Sequence, residues 1–199
     1  MTLPTMTQNE QQSPAQARVS WRRVARRIRV PLGFVFAIFY LWRAQPTWLS
    51  LALGALVAAF GLVVRAVASG HVDKNEELAT TGPFAYVRNP LYLGSIVVAI
   101  GCVIASRDLI LAALVALLFA VIYVPTIHSE EEYLHQRFVG DYADYAQRVP
   151  RLLPRTLSFT GMTDGFSRAL YMKHREYNAL FGAVVMWAAL AAKILWFRG

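Results

Sequence analysis

The sequence predicts an all-α polytopic membrane protein, a bundle of about five transmembrane helices with cytoplasmic loops and short interfacial helices. Three observations carry the prediction. Of the 199 residues, 56% are hydrophobic and only 16% are charged, whereas a soluble domain is nearer one-quarter charged. The mean hydropathy is +0.39, and the apolar residues gather in long runs. Lysine and arginine concentrate in alternate gaps between those runs.

Residues 1–17 are polar and expected to be disordered. Six arginines follow (Arg18, Arg22, Arg23, Arg26, Arg27 and Arg29), then the apolar run Val30–Trp42. No small-residue cleavage site comes after Trp42, so this run reads as an uncleaved anchor rather than a signal peptide. It is short, but Arg29 and Arg43 at its ends can snorkel outward and lengthen it. Trp48–Ala68 is longer and carries one charge, Arg65, near its end, again explained by snorkelling. Leu91–Ala105 is joined to Leu109–Ile127 only by Ser106-Arg107-Asp108, which predicts a tight helical hairpin. Tyr177–Phe197 carries only Lys193. At 1.5 Å per residue the three long runs each reach about 30 Å, enough to cross the hydrocarbon core.

Seven basic residues lie between Ile127 and Tyr177, while the opposite turns offer little beyond Arg43 and Arg107. The positive-inside rule therefore makes the N-terminus and segments 69–90 and 128–176 cytoplasmic, and puts the C-terminus on the other side. The net charge of +8 is explained by this topology and by anionic membrane lipids, so no nucleic acid partner is implied. Cys102 is the single cysteine. It excludes an internal disulfide or a thiolate metal cage and reads as a buried structural thiol. Residues 18–199 are expected to form one membrane domain, with its site built from 70–94 and 128–155.

The first of these segments contains the turn Gly82-Pro83, and Asn89-Pro90 immediately before the third span. Proline at a helix start is favourable because its missing N–H would lack a partner there anyway. Read plainly, this is a loop that launches a helix, with Tyr86 and Tyr92 as interfacial anchors. The second segment opens with His128-Ser129-Glu130-Glu131-Glu132 directly after the fourth span. A run of glutamates is ordinarily a solvated helix face. Here the region is otherwise basic, and the predicted hairpin brings the carboxylates beside the Arg88–Tyr92 loop. His128, Glu131 and His135 share one helical face. Two histidines and a carboxylate can bind zinc, but no fourth ligand is evident and the His-Glu-x-x-His pattern is absent, so no metal is assigned.

Arginine, glutamate and tyrosine together suit S-adenosylmethionine. Arginine pairs with a carboxylate, glutamate accepts from an ammonium or ribose hydroxyls, and a tyrosine face can lie against a sulfonium. No G-x-G-x-x-G is present, and the longest extramembrane stretch is too short for a Rossmann-like domain. A cofactor site here must be built from span ends and short loops.

The sequence Gly82-Pro83-Phe84, then Arg88-Asn89-Pro90-Leu91-Tyr92-Leu93-Gly94, a hydrophobic stretch and Glu130-Glu131 resembles the isoprenylcysteine carboxyl methyltransferase family and the wider group of membrane phospholipid methyltransferases. The match continues through Leu134, Phe138, Tyr142-x-x-Tyr145 and Arg148-Val149-Pro150-Arg151-Leu152-Leu153-Pro154 and covers roughly 48–155. The resemblance implies a helical membrane fold enclosing S-adenosylmethionine at the cytosolic side. It implies that Arg88, Asn89, Pro90, Tyr92, Gly94, Glu130 and Glu131 belong to the cofactor site, with Thr81, Gly82 and Tyr86 shaping its lip. Asn89 replaces the family's histidine and cannot carry a proton. The family's F-G-x-x-Y turn reads Phe138-Val139-Gly140-Asp141-Tyr142, with the glycine displaced by one.

Methyl transfer needs nucleophile, methyl and sulfur held in line with water kept away. A carboxylate acceptor needs no base and calls for an orienting arginine such as Arg148; an amine or hydroxyl calls for a base, for which Glu131 is suited. The expected acceptor is a lipophilic small molecule or a lipid-modified substrate entering between the spans. Two other classes remain open on sequence alone: a membrane oxidoreductase with a sterol reductase-like helical core, and a non-catalytic membrane protein or transporter.

Overall fold

The computed structural model describes residues 33–73, 77–156 and 160–198. The predicted disordered tail, the six arginines that follow it and the start of the first apolar run lie outside the described residues. Contacts divide the chain after Trp42. The first unit contains nearly all of α1, Gly33–Arg43, whose Phe36 and Tyr40 rings, and Phe39 and Trp42 rings, lie 6.4 and 5.8 Å apart along its length.

The second unit is built on a two-helix seam. Helix α2 (Trp48–Ser69) starts with a reciprocal cap between Thr47 and Ser50, and the Ser50 hydroxyl also donates to the Ala105 carbonyl at 3.2 Å. That bond joins the start of α2 to the end of α3 (Pro90–Ser106), so the two helices run antiparallel. Glycines let their backbones meet. A Cβ on Gly101 would lie 2.6 Å from the Gly54 carbonyl oxygen, and one on Gly61 would lie 2.6 Å from that of Gly94. Each helix repeats its glycine after seven residues, about two turns, which keeps both on one face. Inside a membrane no hydrophobic force drives helices together, and such close approach supplies the packing instead.

Arg107, in the left-handed conformation at φ 54°, turns the chain into the next helix. The Asp108 carboxylate caps it, accepting from the Ile110 and Leu111 N–H groups at 2.9 and 3.0 Å. Its other oxygen lies 3.0 Å from Arg43 Nε. Arg43 is thus held by a partner rather than snorkelling freely.

Helix α4 (Leu109–Leu118), a π-helical turn at Phe119–Tyr123 and helix α5 (Val124–Arg137) form one continuous helix of 29 residues. Pro125 explains the π turn. It has no N–H to give the carbonyl one turn earlier and its ring crowds that carbonyl, so the ladder must shift register. Accordingly the Val124 N–H reaches back five residues to Phe119. At 1.5 Å per residue the whole helix measures about 43 Å against a hydrocarbon core of about 30 Å. Its last turns, carrying Glu130 to Glu132, therefore project beyond the apolar layer without a break.

Two short helices follow, α6 (Asp141–Arg148) and α7 (Arg168–Lys173), then α8 (Tyr177–Arg198). The displaced glycine of the sequence pattern, Gly140, has φ 90° and starts α6. Trp187 Nε1 donates to the Leu51 carbonyl at 3.1 Å and docks α8 on α2. The apolar helices fall on the five predicted runs. Three are long and apolar enough to cross a membrane, and α1 and α3 are shorter. Outward faces such as Leu53, Leu56 and Phe60, or Phe181 and Val184, remain exposed, as lipid contact requires, and the protein is an integral membrane protein. One expectation is corrected: Arg65 does not snorkel, but pairs with Glu176, the residue before α8, with Nη2 to Oε2 at 2.8 Å.

Candidate active site

Arg88 and Asn89 are delivered by the turn before α3. Asn89 occupies the helix N-cap position, yet its side chain makes no capping bond. It reaches across to α5 instead, where Nδ2 donates to Glu131 Oε1 at 3.0 Å and to the Arg151 carbonyl at 3.3 Å. Pro90 behind it is fully buried and begins the helix. The Arg88 N–H donates to the Pro150 carbonyl at 2.9 Å, pinning the segment after α6 against the same turn. Arg151 thereby comes within reach of α5, and its Nη2 sits 2.6 Å from Glu131 Oε2. Its Nη1 lies 3.4 Å from His128 Nε2, one turn earlier on α5.

Arg88 completes the group. Its Nη1 is 3.7 Å from Glu131 Oε1 and donates to the Tyr142 hydroxyl at 3.4 Å. Glu131 and Asn89 are 8% and 9% exposed, so a carboxylate is held among two guanidinium groups and an amide in a nearly dry setting. Burial raises the Tyr142 phenol above its ordinary pKa. The Glu131 carboxylate adds to this and the neighbouring Arg88 opposes it, so Tyr142 stays neutral and can donate. Tyr145, one turn on, donates to the Phe84 carbonyl at 2.7 Å, fastening α6 to the short 3-10 turn Gly82–Ala85. Burial raises its pKa as well. Two positive groups face one carboxylate, and Arg88 Nε is buried with no hydrogen-bond partner. Such a cluster has unspent capacity for an anionic group.

The remaining sequence-derived residues are distributed as follows. Gly82 has φ 56°, and a Cβ there would lie 2.5 Å from the His71 ring, so both conformation and contact require glycine. Thr81 is exposed, and the Tyr86 hydroxyl donates to the Thr160 carbonyl at 2.6 Å. The Tyr92 ring meets Tyr123 edge-on at 5.7 Å, and Tyr123 stacks on Phe119 at 4.8 Å along the π turn. Gly94 sits in the α2–α3 seam beside Arg65 and Gly61, away from Glu131's polar partners. Glu130 is exposed while Glu131 is buried, as adjacent helical positions about 100° apart must diverge. Arg148 is exposed, and its Nε turns back to the Asp144 carbonyl at 3.2 Å.

Arg151, Tyr142 and Tyr145 were not assigned to the site from sequence. All three fall in the tail of the matched pattern, which is the one signal for them. His135 rests edge-on against Tyr142 at 6.1 Å. Among the described residues no three His, Cys, Asp or Glu side chains are grouped to hold a metal ion.

The phospholipid methyltransferase family model matches residues 58–140, which include Arg88, Asn89 and Glu131. The rat protein-S-isoprenylcysteine O-methyltransferase is 33% identical over 129 residues, 59% of this chain and 45% of that protein. Over this central part the chain is similar to the phospholipid and isoprenylcysteine methyltransferases. Two bacterial relatives are also similar. The nickel-cobalt-cadmium resistance protein NccN of Alcaligenes xylosoxydans xylosoxydans is 35% identical over 133 residues, 64% of this chain and 59% of that protein. The cobalt-zinc-cadmium resistance protein CzcN of Cupriavidus metallidurans is 33% identical over 140 residues, 67% of this chain and 64% of that protein. The chain thus spans about three fifths of the length of these curated relatives. No solved structure matches it significantly.

Proposed function

We propose that this protein is an S-adenosylmethionine-dependent methyltransferase acting on a lipophilic acceptor at the cytoplasmic face of the membrane. The observation that carries the reading is the joining of the two halves of the family pattern, with Asn89 bonded to Glu131 and both beside Arg88 and Arg151. The donor set suits the cofactor. The surplus guanidinium charge and the unpartnered Arg88 Nε suit its carboxylate, and Glu131 suits its ammonium or ribose hydroxyls. When bound, S-adenosylmethionine supplies an electrophilic methyl group. In this reading Thr81, Gly82, Tyr86, Arg88, Asn89, Pro90, Tyr92, Gly94, Glu130 and Glu131 surround the cofactor, Gly94 by letting α3 pack close to α2. Tyr92 presents an aromatic face without a strong nucleophile.

The acceptor is lipophilic, of the isoprenylcysteine carboxylate or lipid type named for the relatives. Arg148 orients a carboxylate, and Glu131 takes the proton where the acceptor is an amine or hydroxyl. The metals named for NccN and CzcN are those proteins' own and form no part of this reading. The test incubates membranes containing the protein with methyl-labelled S-adenosylmethionine and extracts labelled lipid and protein. Purified protein is titrated in parallel with S-adenosylmethionine and NADPH. Label transfer that disappears in Arg88→Ala supports the proposal. NADPH binding without S-adenosylmethionine binding replaces it with an oxidoreductase.

A further inference from the structure

The polar contacts between the 160–177 segment and the end of α2 are not explained by the residues assigned to the cofactor. Arg65 forms a two-pronged pair with Glu176: Nε donates to Oε2 at 3.1 Å, and Nη2 to Oε1 at 3.0 Å and Oε2 at 2.8 Å. Its remaining nitrogen, Nη1, donates to the Leu91 carbonyl at 3.4 Å and to the Ser95 hydroxyl. The two charged side chains are 24% and 14% exposed. Leu91 lies in the first turn of α3 and Ser95 one turn on. Arg88, Asn89 and Pro90 immediately precede them. The arginine stem reaches this turn across Gly94, where a Cβ would lie 2.6 Å from Arg65 Cγ. Glu176 follows Arg175, which holds a left-handed φ of 53°, a conformation that costs a non-glycine residue and persists only when its surroundings impose it.

We propose that Arg65 and Glu176 are a positioning pair for the candidate site. Glu131 holds the α3 entry turn from α5, and the Arg65–Glu176 pair holds it from α2 and the turn before α8. Glu176 neutralises and aims the guanidinium, and the guanidinium fixes Leu91 and Ser95, so Arg88 and Asn89 are presented to Glu131 at a set height. Without Glu176, Arg65 keeps only neutral acceptors in a largely buried place and turns toward water, releasing the turn. The segment's other contacts with the α2 end, such as Lys173 Nζ to Asp73 Oδ1 at 2.8 Å and the Ser167 N–H to the Gly70 carbonyl at 2.9 Å, fasten the segment but do not reach α3.

The proposal rests on the cofactor reading above, and its test keeps the two separable. The full-length detergent-purified protein is titrated calorimetrically with S-adenosylmethionine as wild type, Glu176→Gln, Arg88→Ala and the double variant, with Tm measured for each. Asn89→Ala replaces Arg88→Ala should the latter not fold. Each single variant is expected to weaken binding about tenfold, and the double no more than about twofold beyond Arg88→Ala, because coupled residues are not additive. Asp73→Asn is expected to leave affinity at the wild-type level. Wild-type affinity in Glu176→Gln, additive losses in the double, or an equal loss in Asp73→Asn overturns the positioning role. Unchanged affinity in a folded Arg88→Ala overturns the site reading itself and the positioning role with it. In the charge-swapped Arg65→Glu, Glu176→Arg protein the pair is restored, but residue 65 can no longer donate to the Leu91 carbonyl. Recovered Tm with weak binding supports the proposal, and recovery of both reduces the pair to a clamp.

Discussion

Removing the Glu131 carboxylate tests how the two halves of the site depend on one another. In Glu131→Ala, Asn89 Nδ2 loses its 3.0 Å acceptor, and Arg88, whose side chain is 15% exposed, loses its neighbouring counter-charge. Arg151 loses a 2.6 Å partner too, but at 42% exposed it can turn to water, so its share is small. Breaking a buried pair from one side costs about 3–5 kcal/mol. Discounting for Arg151 leaves about 3 kcal/mol, a fall in Tm of about 6–12 °C for a chain of this size. Glu131→Gln keeps an acceptor for Asn89 and loses only the charge, so it should cost about 1–2 kcal/mol, roughly 2–8 °C. The assay is thermal unfolding in detergent micelles followed by circular dichroism. A Glu131→Ala protein melting within about 2 °C of wild type, or a Glu131→Gln as damaged as the alanine variant, would show that the carboxylate does not organise the cluster.

Gly94→Ala should destabilise the protein by about 1–3 kcal/mol through the clash with α2, while Gly182→Ala, with nothing within 4 Å of its Cβ, should be neutral or slightly stabilising; comparative melts decide. Because the Tyr145 pKa is raised in the folded state, its phenol stays protonated after the unfolded chain has ionised. Its stabilisation is therefore complete below about pH 10 and declines as pH rises further. Melts from pH 8 to 11 should show a shallower alkaline decline in Tyr145→Phe, and an unchanged decline would exclude Tyr145 as its source. Reporters inserted near Asp164 and fused after Gly199 should lie on opposite sides of the membrane, inside and outside respectively. Finding both on one side would reject α8 as a span.

The apolar helices were legible because each is a run of residues whose transfer to lipid is favourable, whatever they later touch. The nearness of Arg88 and Tyr92 to the glutamates was legible because the hairpin returns the chain to the same level. Choosing between Glu130 and Glu131 was not, since helical phase counted from the fourth span slips where Pro125 forces the π turn. Arg65 illustrates the opposite failure. Near the end of an apolar run, an arginine that snorkels and one that pairs with a distant carboxylate have the same local sequence, and the deciding residue, Glu176, is 111 positions away. Arg151 was obscured for a similar reason, because its place depends on the Arg88 N–H to Pro150 carbonyl bond, a backbone contact that leaves no mark on residue type.

The glycine contacts between α2 and α3 have a mechanical consequence. Where backbone carbonyls stand where a Cβ would be, neither helix can slide or roll past the other without a collision, so the two move as a single plank. Arg88 and Asn89 ride on one end of that plank. In the proposed reading, admitting a lipophilic acceptor to their side must therefore be done by other parts: the single long rod of α4 and α5, or the segment carrying Arg151. A crosslink along the seam would leave turnover untouched, whereas one between the plank and the rod would stop it.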